Sequence, residues 1–226
     1  MYYDIESGRH GLKHDPFKAL IVPRPIGWIG TVGANGVPNL APYSFFNAVS
    51  DQPPVVLFSS GGHKDSLRNI EETGEFTCSL STYALRDQMN MSSAPVVRGV
   101  DEFALAGLTA APSTSVKAPR VAESPAAFEC RHWKTVELPE PVQRPGRRPH
   151  PRYTVVFGLV VGIYIDDAYL KDGLVDTAAM RPLARLGYMD YAVVTPETTF
   201  SLNRPTVDAD GRSASLVPGE WDGVYR

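Results

Sequence analysis

The sequence between Pro23 and Phe46 reads PRPIGWIGTVGANGVPNLAPYSFF and is the most informative stretch of the chain. From Ile26 to Val32 it is apolar and partly β-branched, and the apolar pattern resumes at Val37 after Gly-Ala-Asn-Gly, whose residues tolerate positive φ. This pattern predicts two antiparallel strands joined by a tight turn.

Two prolines interrupt the second of these strands. Pro38 and Pro42 lack backbone donors and hold the residues before them in extended conformations. One interpretation is an edge strand with a bulge, solvated on its open side. In the other, a flat heteroaromatic ligand such as an isoalloxazine ring, which needs an apolar plane and peptide-like hydrogen bonds, binds the freed groups. Those groups are the amides of Asn39, Ala41 and Tyr43 and the Ser44 hydroxyl.

Length and charge limit the function classes. The chain has 226 residues and a formal charge of -3, which gives no reason to expect nucleic acid or an anionic membrane as a partner. No apolar run reaches the roughly 18 residues that span a bilayer, and Met1 to Asp15 does not resemble a signal peptide. We therefore expect a soluble, cytoplasmic protein.

The rest of the chain predicts many short strands and two helices. Strands are expected at Pro54–Ser60, Glu75–Ser81, Ala127–Leu138, Tyr153–Ile165 and within Leu183–Thr195, and helices at Lys64–Thr73, ended by Gly74, and Thr82–Ser92. Six or seven strands with two helices favour a closed or partly closed β-barrel. We expect one domain over residues 1–226, with a core at about 17–195, an N-terminal arm at 1–16 and a C-terminal extension at 196–226.

The segment from Ser59 to Ser66, SSGGHKDS, is a candidate phosphate site. It leaves a strand, passes two glycines and enters a helix, so it combines hydroxyls, helix N-terminal amides and the ammonium group of Lys64. The alternative is an ordinary strand-to-helix connection in which Ser66 or Asp65 caps the helix.

Other reactive residues show no site pattern. Cys78 and Cys130 are expected to be buried, reduced thiols, and the five histidines lack the spacing of metal ligands, so no metal site is predicted. The sequence contains no Gly-x-Gly-x-x-Gly, Walker-type or Gly-x-Ser-x-Gly motif, which leaves Rossmann enzymes, nucleotide triphosphatases of that type and typical serine hydrolases without support.

An ordered set of motifs resembles the flavin reductase-like family of FMN-binding split barrels. The set comprises PRPIGW, NLAPYSFF, PPVVLFSS, KDS, Asn69-Ile70, TGEF, DEF, AGL, Phe157-Gly158 and PLARLG, and it runs from about Phe17 to Thr195. The resemblance implies a mainly β, six-stranded, Greek-key-like split barrel with a few short helices. It also implies a homodimer that binds FMN near the subunit interface, with FAD as the alternative cofactor.

The resemblance also implies which residues bind the cofactor. Trp28 and Thr31 would line the flavin, and the ring and ribityl chain would contact Asn39, Leu40, Ala41, Pro42, Tyr43 and Ser44. The phosphate would be held by Ser59, Ser60, Lys64 and Ser66, while Arg185 and Tyr188 would lie near the cofactor or across the interface. No catalytic side chain is expected, because the redox chemistry belongs to the cofactor.

Three functions follow from the resemblance. The first is an FMN-dependent oxidoreductase that takes hydride from NADH or NADPH and passes electrons to free flavin, iron or a partner monooxygenase. The second is a flavoredoxin-like electron carrier reduced by a protein partner. It is suggested by Tyr153 and Leu159, where family reductases often have a histidine and a glutamate. The third is a split barrel that has lost flavin and binds another ligand such as haem, or serves as a scaffold.

The arginine-rich segment at residues 144–152 has two interpretations. It contains Arg144, Arg147, Arg148 and Arg152 between the two longest predicted strands. It forms either a solvated hairpin tip or a contact for the 2'-phosphate of NADPH.

Overall fold

A computed structural model describes residues 1–5, 10–142 and 149–224. Its largest element is an antiparallel sheet of seven strands, which are β1 (Gly27–Val32), β2 (Pro38–Tyr43), β3 (Phe46–Asp51), β4 (Pro54–Gly61), β5 (Glu75–Leu80), β6 (Ala126–Glu137) and β7 (Tyr153–Ile165). In the sheet these strands are arranged in the order β2-β1-β5-β6-β7-β4-β3.

The two edge strands of this sheet are consecutive in the chain. β2 ends at Tyr43 and β3 begins at Phe46, so one bent segment carries both edges, and at the bend Ser59 N donates to Phe45 O at 2.9 Å. The sheet therefore curls until its edges meet at this segment. Seven strands are present in this sheet where the resemblance implied six, and the strand β3 (Phe46–Asp51) was not predicted from the sequence.

The predicted hairpin is confirmed. β1 and β2 pair from Gly27 opposite Tyr43 to Val32 opposite Pro38. Gly36 N donates to the Gly33 carbonyl at 2.9 Å to close the turn, and Gly36 has a φ of +80°, a conformation that glycine adopts without a Cβ clash. β2 lies at an edge of the sheet, as the first interpretation of its prolines required, but its pairing with β1 contains no bulge.

The helices are short. They are α1 (Phe17–Leu20), α2 (Asp65–Thr73), α3 (Arg86–Met91), α4 (Glu102–Leu105) and α5 (Thr177–Met180), with 3-10 turns at Tyr83–Leu85, Asp167–Tyr169 and Pro196–Thr198. The predicted helix after β4 is thus α2, and Gly74 ends it with a φ of +73° while its N–H donates to Ile70 O at 2.8 Å. Among the described residues, no helix is both long and apolar enough to cross a membrane.

Small strands pair outside the main sheet. Leu183–Arg185 lies between Arg24–Pro25 and Tyr191–Val193, and three two-residue pairs join Ala110–Ala111 to Arg120–Val121, Leu170–Lys171 to Leu174–Val175, and Thr206–Val207 to Ala214–Ser215. The first group matters for the site, because it brings residues near position 185 beside the start of the domain.

The apolar core has two parts on opposite faces of β1. Ile29 faces the barrel interior with Phe58, Phe76 and Val156, whereas its neighbour Trp28 faces a second cluster that covers the outside of β1 and β2. Cys78 and Cys130 lie in the interior cluster, buried and not disulfide-bonded. Burial and the neighbouring Cys130 raise the pKa of Cys78 well above its ordinary value.

The hairpin of β6 and β7 is the longest in the molecule. Its strands pair from Thr154 opposite Glu137 to Ile165 opposite Ala126. Where the two strands lead into the loop between them, the Arg152 guanidinium contacts the carboxylates of Glu137 at 2.8 Å and Glu140 at 3.3 Å, so this arginine is paired within the hairpin. Arg144, Arg147 and Arg148 lie outside the described residues.

We predict that Gly158→Ala destabilises the barrel. A Cβ at Gly158 would lie 2.2 Å from Cζ of Phe76, a fully buried ring, and such overpacking costs about 1–3 kcal/mol. Urea denaturation measures this loss in the free energy of unfolding. The double variant with Phe76→Leu should lose less than the sum of the two single changes, since the shorter side chain gives way. Additive losses would contradict this explanation.

Candidate functional site

A buried carboxylate holds the edge strand β2. Glu102, in α4, is 7% exposed, and its Oε2 accepts hydrogen bonds from Asn39 Nδ2 at 2.9 Å and from the Leu40 amide at 3.1 Å. Because successive amides of a strand alternate in direction, the Leu40 amide points away from β1, and the amides of Asn39, Ala41 and Tyr43 point toward it.

The prediction that these three amides are free for a ligand is therefore wrong. Asn39, Ala41 and Tyr43 pair with β1 in the ladder. Pro38 and Pro42 lie two residues before and two residues after Leu40. A backbone N–H at either position would therefore also have pointed to the open edge, and proline has none. Only the Leu40 amide remains on that edge among these positions, and Glu102 binds it.

The buried network extends to two more of the predicted binding residues. Asn39 Oδ1 accepts hydrogen bonds from Ser66 Oγ at 3.2 Å and Thr31 Oγ1 at 3.5 Å, and Asn69 Nδ2 donates to Thr31 Oγ1 at 3.0 Å. Thr31, Asn39 and Ser66 thus lie together, and all are buried. Sequence reasoning missed Glu102 and Asn69 as members, because their partners lie 62 or 63 and 38 positions away.

Three of the candidate phosphate residues, Ser60, Lys64 and Ser66, lie around the phenol of Tyr43. Lys64 is exposed, with Nζ 5.9 Å from the Tyr43 ring centroid. Burial raises the pKa of Tyr43, and the nearby hydroxyls of Ser66 and Ser60 oppose this rise. Ser60 Oγ is itself committed to the Gly62 carbonyl at 3.0 Å.

Two buried side-chain oxygens among the predicted binding residues fit a polar ligand. Tyr43 Oη and Ser59 Oγ are buried and, within the described part of the chain, have no hydrogen-bond partner. A buried hydroxyl without a partner costs about 1–3 kcal/mol. The helix α2 also begins here after Lys64, and no side chain caps it, so neither Ser66 nor Asp65 has the capping role of the alternative interpretation.

A cleft of about 640 Å³ opens on the other side of β2. Pro42 and Ser44 line it because they alternate with Tyr43 along the extended chain. Arg185 and Tyr188 lie on the opposite wall, so the structure brings together three of the predicted binding residues, Pro42, Ser44 and Arg185. The volume is within the range of small-molecule sites, about 300–1,000 Å³.

Other predicted binding residues lie behind this cleft. Trp28 and Leu40 are fully buried in the second core cluster, where they pack with Met89, a residue that lines the cleft. Trp28 Nε1 donates to Ser92 Oγ at 2.9 Å. Ala41 is half-buried against the interior cluster. In this structure these side chains support the cleft wall and do not form its surface.

We predict that Glu102→Ala lowers the free energy of unfolding by about 3 kcal/mol, because it leaves two buried donors without an acceptor. Glu102→Gln keeps an acceptor oxygen and should lose about 1 kcal/mol. Glu71→Ala removes only an exposed contact to His63, and a loss below about 0.5 kcal/mol is expected. Urea denaturation of the three variants checks the order, and equal losses would show that the carboxylate does not hold β2.

Comparison with known proteins agrees with this architecture. The family model described as flavin reductase like domain matches residues 19–184. An uncharacterized protein of Deinococcus radiodurans is 37% identical over 217 residues, which cover 91% of this chain and 90% of the relative.

Two solved structures show the same fold over most of their length. Nitrilotriacetate monooxygenase component B from Bacillus cereus is 28% identical with a TM-score of 0.76, and the match covers 89% of this chain and 99% of that one. Flavoredoxin of Desulfovibrio vulgaris is 26% identical with a TM-score of 0.67, over 76% of this chain and 87% of that one. Because the family model spans most of the sequence, this chain belongs to the flavin reductase-like family, whose fold is the split barrel and whose cofactor class is a flavin.

Proposed function

We propose that the protein binds FMN and uses it to transfer electrons from NADH or NADPH to an acceptor. The observation that carries the proposal is the buried, unpartnered phenol oxygen of Tyr43 beside the exposed side chain of Lys64, whose Nζ lies 5.9 Å from the Tyr43 ring centroid. In a chain of a flavin-dependent family, this combination suits a phosphorylated ligand that supplies both charge and hydrogen bonds. FAD is the alternative cofactor.

Different residues of this chain would bind different parts of the cofactor. Lys64, Ser59, Ser60 and Ser66 would hold the phosphate, and the segment from Asn39 to Ser44 would bind the ring and the ribityl chain. Trp28 and Thr31 would support this segment from the protein interior, since both are fully buried. The function of these side chains is to bind the cofactor, orient it and exclude water.

The bound flavin would supply the redox chemistry by accepting hydride from a nicotinamide. No side chain is proposed as an acid or base in that transfer. The network of Thr31, Asn39, Ser66, Asn69 and Glu102 would keep the binding segment rigid, because each member is fixed by a hydrogen bond to another.

A second candidate is an electron carrier that a protein partner reduces. The observation that favours it is Tyr153, whose ring lies 5.8 Å from the Phe45 ring at the bend between β2 and β3. A Cβ added to Gly61, at the end of β4, would lie 3.2 Å from this ring. Tyr153 is an aromatic residue without a charge to offer a nicotinamide, and it stands at the position where family reductases often have a histidine.

A homodimer is part of the proposal. Trp133 on β6 and Ile163 on β7 are 65% and 62% exposed. These two side chains lie well apart along the β6–β7 ladder, and each would be covered by a second copy in the homodimer that the family resemblance implies. The molecular mass in solution tests this assembly.

We expect that anaerobic protein loaded with FMN loses its flavin absorption when NADH or NADPH is added, faster than free FMN does. The nucleotide that gives the faster loss identifies the donor. A flavin that binds but stays oxidised with both donors would reject the reductase and support the carrier. An absence of FMN binding would reject both.

We expect Lys64→Ala to weaken FMN about tenfold, near 1.5 kcal/mol, because it removes a charge-assisted contact with the phosphate at an exposed position. Riboflavin, which has no phosphate, should bind both proteins equally. Lys171→Ala, at an exposed position in a small hairpin, is the matched control. Titration of flavin fluorescence measures each affinity, and an equal loss for FMN and riboflavin would assign Lys64 a structural role.

A further inference from the structure

An ion pair holds the loop between α3 and α4 against the first turn of α2. Arg98 Nη1 contacts the Asp65 carboxylate at 3.2 Å, and Arg98 Nη2 lies 3.8 Å from the Glu72 carboxylate. Residues seven positions apart share one face of a helix, so the guanidinium spans two turns along the same side of α2. The loop therefore places a cation beside the start of this helix.

Asp65 lies where its negative charge acts against a bound phosphate. It stands in the chain between Lys64 and Ser66, which both belong to the proposed phosphate site. Burial is the main cause of the raised pKa of Tyr43, and the negative charge of Asp65 adds to that rise. The charge of Asp65 thus reaches the phenol around which the site is built, and a phosphate dianion beside this phenol would meet the same repulsion.

The two charged residues at the start of α2 offset each other. Lys64 contributes a positive charge, with Nζ 5.9 Å from the Tyr43 ring centroid, and Asp65 contributes a negative charge at the next position. These neighbours alone therefore offer a phosphate little net attraction. The guanidinium of Arg98 restores a net positive charge, because it pairs with the Asp65 carboxylate.

The alternative is a purely structural role for Arg98. The loop that it holds leads to Asp101, which caps α4 by accepting a hydrogen bond from the Phe103 amide at 2.9 Å, and to Glu102, which binds β2. The side chain of Arg98 is 43% exposed and that of Asp65 is 32% exposed. Ion pairs as exposed as this one contribute little to stability, so the effect on the neighbouring phosphate site is expected to be the larger one.

We propose that Arg98 strengthens the binding of the cofactor phosphate by pairing with Asp65 and cancelling its repulsion of the dianion. This role rests on the proposed function, because it concerns the phosphate that Lys64 would bind. It assigns to the site a residue that the sequence motifs did not identify. Arg98 is a positioning residue, since it acts through Asp65.

The test is a fluorescence titration of FMN and riboflavin with the native chain and its variants. Arg98→Gln should weaken FMN about fivefold, because Asp65 then faces the phosphate unpaired, and should leave riboflavin unchanged. Adding Asp65→Asn to Arg98→Gln should restore FMN binding, since the repelling charge is gone. Arg86→Gln is the matched control, because Arg86 makes a similarly exposed contact with Asp87 at 3.4 Å within α3.

Salt provides a readout that a structural role would not change. In about 1 M potassium chloride, where the Debye length is about 3 Å, the ratio of the FMN affinities of the native chain and Arg98→Gln should fall toward one. Arg98→Lys keeps the positive charge and should keep most of the FMN affinity.

The outcomes separate this role from the proposed function. An equal loss of FMN and riboflavin in Arg98→Gln would assign Arg98 a structural role and overturn the proposal, as would a loss that Asp65→Asn does not restore. FMN binding that Arg98→Gln leaves unchanged would overturn this role alone, and the proposed function would stand. If the native chain bound no FMN, the proposed function would fail together with this role.

Discussion

The hydrogen bonds of one buried carboxylate determine whether the open edge of this barrel has free backbone donors. Glu102 satisfies the Leu40 amide and the side chain of Asn39 at the strand where two prolines have removed the other outward donors. An open strand edge is ordinarily a site of unwanted pairing with other chains. Here the edge carries no free donor at these positions, so the strand is both protected and held in place beside the cleft.

The bend after Tyr43 gives the two faces of this strand different environments. Tyr43 points to the hydroxyls of Ser60 and Ser66, whereas Pro42 and Ser44 face the open cleft. One extended segment therefore connects a buried polar pocket with a surface site. A ligand with a charged end and a flat ring suits such a segment, because the two parts require opposite surroundings.

Local patterns predicted the local structure well. The Gly-Ala-Asn-Gly turn, the helix ended by Gly74 and the pairing of the two longest strands all depend on residues close in sequence, and all are confirmed. The prediction for the direction of the β2 amides was wrong. That direction depends on which side of β2 its partner strand lies, which is decided by the tertiary structure and not by the local sequence. Glu102 could not be assigned from its surroundings, since it reaches β2 across 62 and 63 positions. The cleft likewise joins Ser44 with Arg185, which no periodicity connects.

The buried guanidinium of Arg24 donates a hydrogen bond to the Leu186 carbonyl at 2.8 Å, and so depends on a part of the chain that is synthesised much later. Its carbonyl partner at Leu186 lies 162 positions later in the chain, and a ribosome adds roughly 5–20 residues per second. The carboxylate that satisfies β2 is synthesised much earlier, at position 102. On a nascent chain the acceptor for the outward donors of β2 is therefore present several seconds before the Leu186 carbonyl beside the cleft is synthesised.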